Sequence, residues 1–198
     1  MRKSNTKERL VDAAMNLFSL KGYDGTGVDE IAESVGIKGP TIYKYYKGKG
    51  ELLKAVIKRA EDEYCAGMGF AENPADKINS GENLKQFALK SLDFSLGNET
   101  AKKMRRLITM EQYRNEMLAE LTTKHQISYL QEVYTTIFQS LMDQGQMTYG
   151  NPQITAFEFI APVALLVQMI DREPDRKDEA LKIINEHIDL FIEKYGII

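Results

Sequence analysis

Residues 22 to 53 read GYDGTGVDEIAESVGIKGPTIYKYYKGKGELL, and the punctuation of this stretch constrains its fold more than any other part of the chain. Val28, Ile31, Ala32 and Val35 recur at helical spacing over a short segment, and Gly36 makes a turn after them. Pro40 suits the first position of a further helix, where its missing N–H costs nothing, and Gly39 then falls at the N-cap. Another amphipathic helix opens near Lys49 and buries Leu52, Leu53, Val56, Ile57 and Ala60. Gly48 is its expected N-cap, and Glu51 faces the positive end of its dipole. The apolar residues at 28, 31, 35, 37 and 42 form a small wedge that can lock two helices at a fixed angle. That order of elements is a helix-turn-helix, whose second helix enters a DNA groove.

The wedge leaves Lys38, Gly39, Thr41, Tyr43, Lys44 and Tyr45 to face outward. Phenolic and hydroxyl groups donate to phosphate oxygens and lysine supplies charge, so both fix register on a duplex. The leading residues of such a helix meet base edges: a lysine reaches guanine acceptors, and a threonine hydrogen-bonds or touches a thymine methyl. A plain αα-hairpin with tyrosines packed internally is the alternative, and Tyr46 is assigned inward beside Ile42. Charge is uneven along the chain. Residues 1–60 hold 12 Lys or Arg against 7 Asp or Glu, a net of +5, and the remainder carries 14 against 22, a net of −8. A basic end suits an anionic partner, and chance clustering of surface charge remains the other reading.

Helical spacing recurs throughout the 198 residues, with no convincing alternating strand pattern, so the expected class is all-α with about nine helices. The first should span about 6–21, with Asn5 and Glu8 as a capping box and Gly22 as a left-handed stop. Residues 71–83, AENPADKINSGEN, read as a loop. A domain boundary is expected near 60–70. Cys65 is the single cysteine, which excludes an intrachain disulfide and fits a reduced compartment. The N-terminus lacks the apolar core of a signal peptide. The apolar run 160–170 is broken by Pro162 and Gln168, and reads as too short to span a bilayer. A cytoplasmic protein with no membrane partner is the expectation.

Residues 1–60 resemble the N-terminal domain of the tetracycline-repressor (TetR) family. LVDAAMNLFSLKGYDGTGVDEIA, ESVGIKGPTIYKYY and KGKGELLKAV carry the likeness with unbroken spacing. The resemblance implies a DNA-binding domain over 1–60, with its motif at about 26–45, and a ligand-binding and dimerisation domain over 61–198. It further implies that Thr26, Thr41, Tyr43, Tyr45 and Lys49 contact phosphates and that Lys38, Gly39 and Lys44 lie near base edges. Asp29 stands where members often carry arginine. A carboxylate there is repelled by phosphate, so it either points away or reads a cytosine amino group.

The eighth and ninth helices are apolar on more than one face, which requires cover on both sides. Phe157, Ile160, Leu165, Leu181, Ile184, Ile188 and Phe191 are the candidate homodimer interface; burial at the centre of a monomer is the alternative. Phe87, Met104, Ile108, Tyr113, Tyr134, Phe138 and Met142 are candidate liners of an effector pocket, though residues at such spacing also serve as plain core. His125 and His187 are single, and no Gly-rich phosphate loop, metal-ligand spacing or nucleophile grouping stands out, so enzyme activity, a metal and a cofactor are not expected. The function implied is a ligand-responsive regulator, a repressor, that binds a palindromic double-stranded operator and is released by a small-molecule effector, with coupling through the helix that opens at Lys49. A helical protein–protein adaptor is the alternative.

Overall fold

The computed structural model describes residues 5–68 and 73–197. The first four residues of the basic N-terminus and the first two of the expected 71–83 loop lie outside that range. Among the described residues all regular structure is helical: α1 (Thr6–Lys21), α2 (Val28–Ser34), a 3-10 helix (Gly39–Lys44), α3 (Lys49–Gly67), α4 (Gly81–Gly97), α5 (Glu99–Glu111), α6 (Glu116–Thr123), α7 (Tyr129–Asp143), α8 (Pro152–Arg172) and α9 (Lys177–Lys194). A π-helical segment, Lys124–Ser128, joins α6 to α7.

The chain forms two compact units. The first takes Met1–Ala66 together with Asn98–Ala119, and the second takes Gly67–Gly97 with Glu120–Ile198. Sequence spacing places a boundary near residue 60 but does not anticipate that α5 joins the N-terminal helices.

In the first unit, α1 starts as its sequence dictates. The Asn5 side chain accepts from the Lys7 N–H, and Glu8 reaches back to the Asn5 N–H at 3.2 Å. Leu10, Ala14 and Phe18 form its buried stripe, and α1 packs against both α2 and α5. Gly22 ends it at φ +78°, and Gly36 makes the turn after α2 at φ +74°, conformations that L side chains rarely adopt. Arg9 Nη2 donates to the Val35 carbonyl at 2.6 Å, tying α1 to that turn.

The second unit is built on a core of Leu84, Leu92, Ile137, Phe138, Leu141, Phe159, Ile184, Ile188 and Phe191 from α4, α7, α8 and α9. Its aromatic rings pack edge to face or tilted: Phe138 and Phe159 lie 5.6 Å apart at 86°, and Phe159 and Phe191 lie 4.8 Å apart at 64°. Helix α8 begins on an Asn151 cap that accepts from Gln153 and Ile154 N–H groups at 3.0 and 3.1 Å. It continues through Pro162 for 21 residues, so by length and hydropathy it reaches what a bilayer span requires, contrary to the broken run read from sequence. Its polar groups are nevertheless engaged inside the unit. Glu158 pairs with Lys194 and accepts from the Tyr195 hydroxyl at 2.6 Å, and Gln168 donates to Gln126 of the π-helical segment at 3.1 Å. Those contacts tie α8 to α9 and to the π-helical segment.

Candidate nucleic-acid interface

The wedge forms as its spacing dictates. Ile31, Ala32, Val35 and Ile42 are buried, Val28 and Ile37 are only partly buried, and the 3-10 helix packs on α2. The reading segment is a 3-10 helix of six residues rather than an α-helix, with Lys38 in the extended capping position and Pro40 in its first turn. Lys38, Pro40, Tyr43 and Lys44 are exposed along it, and Gly39, Thr41 and Tyr45 are partly buried. Tyr46 points inward, as its pairing with Ile42 requires, and its hydroxyl donates to the Lys7 carbonyl at 3.4 Å. Burial, then the nearby Glu51 carboxylate, raises the Tyr46 phenol above its ordinary pKa.

Two residues that the resemblance assigns to phosphate are occupied elsewhere. Thr26 is only 1% exposed, and its hydroxyl donates to the Gly22 carbonyl at 2.8 Å. Its side chain closes the α1–α2 turn and is not offered to a partner. The Lys49 ammonium donates to the carbonyls of Tyr23 and Thr26 at 2.8 and 3.1 Å and sits over the Tyr23 ring at 4.4 Å. That lysine ties the start of α3 to the turn. Spacing predicts neither role, because both depend on where the turn between the first two helices comes to lie.

Asp29 does not point away from the reading segment. Its carboxylate lies against Gly39, where any Cβ would collide with it. Glycine at 39 therefore answers to Asp29. Glu51 reaches back to the Lys47 N–H, so the start of α3 is capped by an acid four residues on.

The residues proposed for a pocket do not gather within either unit. Met104 and Ile108 are buried core of the first unit, and Tyr113 just beyond α5 is 92% exposed. Tyr134, Phe138 and Met142 are buried in the second unit's core, and Phe87 packs against that core with its ring 6.1 Å from Tyr134. An open depression of about 480 Å³ in the second unit is bordered by none of these residues; Asn73, Ala75, Gln139 and Asp143 are among those that line it.

The candidate interface on α8 and α9 also divides. Ile160, Ile184, Ile188 and Phe191 are buried in the second unit's core, and Leu181 is partly buried against it. These five stripe positions face inward because α8 packs on α7 and α9 and both partners bury one side. Phe157 and Leu165 are exposed, Leu165 at 66%. Ile183 and Leu190, part of the apolar excess that spacing gives the ninth helix, join them on the surface, as does Ile154. The i, i+3 step from 154 to 157 and the i, i+7 step from 183 to 190 would have marked both as single-face stripes.

Comparison with known proteins places this geometry. Residues 10–56 match the model of bacterial regulatory proteins of the tetR family, and residues 82–197 match the C-terminal domain of AefR-like transcriptional repressors. The chain is 27% identical over 196 residues to the probable HTH-type transcriptional regulator YttP of Bacillus subtilis, covering 98% of this chain and 89% of that one. It is 32% identical over 143 residues to IcaR of Staphylococcus epidermidis, a negative transcriptional regulator of the biofilm operon icaADBC, covering 72% of this chain and 71% of that one. Among solved structures, SmeT in complex with triclosan shares the fold at a TM-score of 0.76, with 21% identity over 96% of this chain and 91% of that one.

Proposed function

This chain belongs to the TetR family of bacterial transcriptional regulators, and we propose that it acts as a homodimeric repressor whose hold on a palindromic operator is released by a small-molecule effector. It is a DNA-binding regulator and not an enzyme. One observation carries the finer reading: Lys38, Pro40, Tyr43 and Lys44 stand exposed on one short helix, while the polar groups behind them, Thr26 and Lys49, hold its frame. Lys44 and Tyr43 meet phosphates and Lys38 meets base edges, with Thr41 and Tyr45 at the margin.

The exposed residues of α8 and α9, Ile154, Phe157, Leu165, Ile183 and Leu190, form the surface that a second copy covers. Two copies set their reading helices about 34–36 Å apart, one turn of B-DNA. The work is done in the cytoplasm, where bacterial operators are. The second unit takes the effector; the similar SmeT is known in complex with a small molecule, triclosan. Phe87, at the edge of the core beside Tyr134, lines its site.

Selection of bound duplexes from a random pool tests this directly. The expected outcome is enrichment of an inverted repeat, its half-sites one helical turn apart, occupied by two chains. Enrichment of a lone asymmetric site, or of nothing, contradicts it.

A further inference from the structure

Tyr23 is gripped on both sides of its backbone. Its N–H donates to Glu111 Oε1 of α5 at 2.9 Å, and its carbonyl accepts from Lys49 Nζ of α3 at 2.8 Å. A carboxylate and an ammonium from two different helices thus hold one residue of the α1–α2 turn. The same lysine holds the Thr26 carbonyl, the Thr26 hydroxyl holds the Gly22 carbonyl, and the Tyr23 ring rests 5.4 Å from Phe18. The turn fixed in this way leads into Gly27, the N-cap of α2, and the 3-10 reading helix packs on α2.

Glu111 is an expensive residue for this place. It is 3% exposed, and its second oxygen, Oε2, is buried with no hydrogen-bond partner. A buried carboxylate held by a single N–H costs stability that an apolar side chain of similar volume would not. The surroundings are shaped to admit it: Gly22 has φ +78°, and a Cβ there would run into the carboxylate. Helix α5 is also the one helix of the first unit that lies wholly outside the N-terminal run. The chain joins that unit at Asn98 and leaves it at Ala119, so the segment that carries α5 is flanked on both sides by sequence of the second unit.

We propose that Glu111 is a positioning residue for operator binding: from α5 it sets the α1–α2 turn, and with Lys49 on the same residue it fixes how α2 and the start of α3 present the reading helix. The proposal rests on the DNA-binding reading above. Withdrawal of α5 strips the turn of one of its two charged holds without disturbing any side chain that meets DNA.

The test compares Glu111→Gln and Glu111→Leu in the full chain, on a duplex enriched by the wild-type protein. Glutamine keeps an acceptor oxygen at the same reach, and leucine keeps bulk without an acceptor. Glu111→Gln binds like the wild type, and Glu111→Leu binds roughly tenfold more weakly, the loss of the acceptor oxygen that holds the turn. The salt dependence of both stays at the wild-type slope, because no phosphate contact is removed. Amide exchange at Tyr23 quickens in Glu111→Leu alone. Wild-type affinity in Glu111→Leu overturns the proposal, as does equal weakening in both variants. Should Glu111→Leu fail to fold, Tyr23 exchange in Glu111→Gln decides: retained protection supports the hold, and lost protection overturns it. A wild-type chain that enriches no duplex overturns the DNA-binding reading beneath; enrichment with Glu111→Leu unchanged overturns the positioning role alone.

Discussion

The reading edge of the first unit and the α8–α9 face of the second both leave side chains in water, and they do so by opposite chemistry. The reading edge exposes two lysines, a tyrosine and a proline on a six-residue 3-10 helix and its cap, which packs on α2 beyond a turn closed by hydrogen bonds. The α8–α9 face exposes isoleucine, phenylalanine and leucine on two helices whose opposite sides fill an aromatic core. Charge held on a rigid short element suits a partner that is itself a regular array of charge, because register is then set by geometry. Apolar stripes on long helices suit a second copy, because burial is nondirectional and rewards area. Under the proposed function the two surfaces divide the labour: one recognises, and the other sets the spacing at which recognition happens twice.

The comparison breaks most visibly if the apolar face is charged. Leu165→Glu combined with Leu190→Glu places carboxylates on both exposed stripes without entering the core. Light scattering should then report one chain where the parent gives two, and operator affinity should fall roughly a hundredfold as the linked half-sites become independent. A double variant that stays dimeric places the interface elsewhere. Next in size is Phe138→Ala, which empties the centre of the second unit's core. It should cost about 3–5 kcal/mol in chemical denaturation. Smallest is the Glu158 pair on α8. The hydrogen bond from Lys194, and then that from Tyr195, hold the Glu158 carboxyl below its ordinary pKa. A depressed folded-state pKa adds stability that is full above the ordinary carboxylate range and is lost as pH falls through the lowered value. Glu158→Gln should therefore melt slightly below the parent near neutral pH, and the gap should close in acid. The pair is partly exposed, so the difference stays small.

Much of this was legible in the sequence because local rules decide it. The Asn5–Glu8 box, the stops at Gly22 and Gly36, the Val28–Ile42 wedge and the inward Tyr46 all follow from residues within a few positions of each other. What escaped depends on distant packing. Spacing puts Ile160, Ile184 and Phe191 on apolar stripes, but it cannot tell a stripe against α7 from one left open. Thr26 and Lys49 look free as letters, yet the α1–α2 turn supplies carbonyls that take both. Glu111 lies 88 residues from the amide it holds, and no local motif marks it. The family resemblance transfers the fold faithfully, but each side chain's role depends on this chain's own turn.

The proposed division between side chains that touch DNA and side chains that hold the frame is tested most directly by Lys44→Ala and Lys49→Ala, measured together for operator affinity across salt concentrations and for thermal stability. Lys44→Ala should flatten the log–log salt dependence by about 0.9 and leave the melting temperature in place. Lys49→Ala should lower the melting temperature and keep the parent's salt slope. A flattened slope in Lys49→Ala with unchanged melting, beside an unaltered slope in Lys44→Ala, would reverse the two roles and contradict the account.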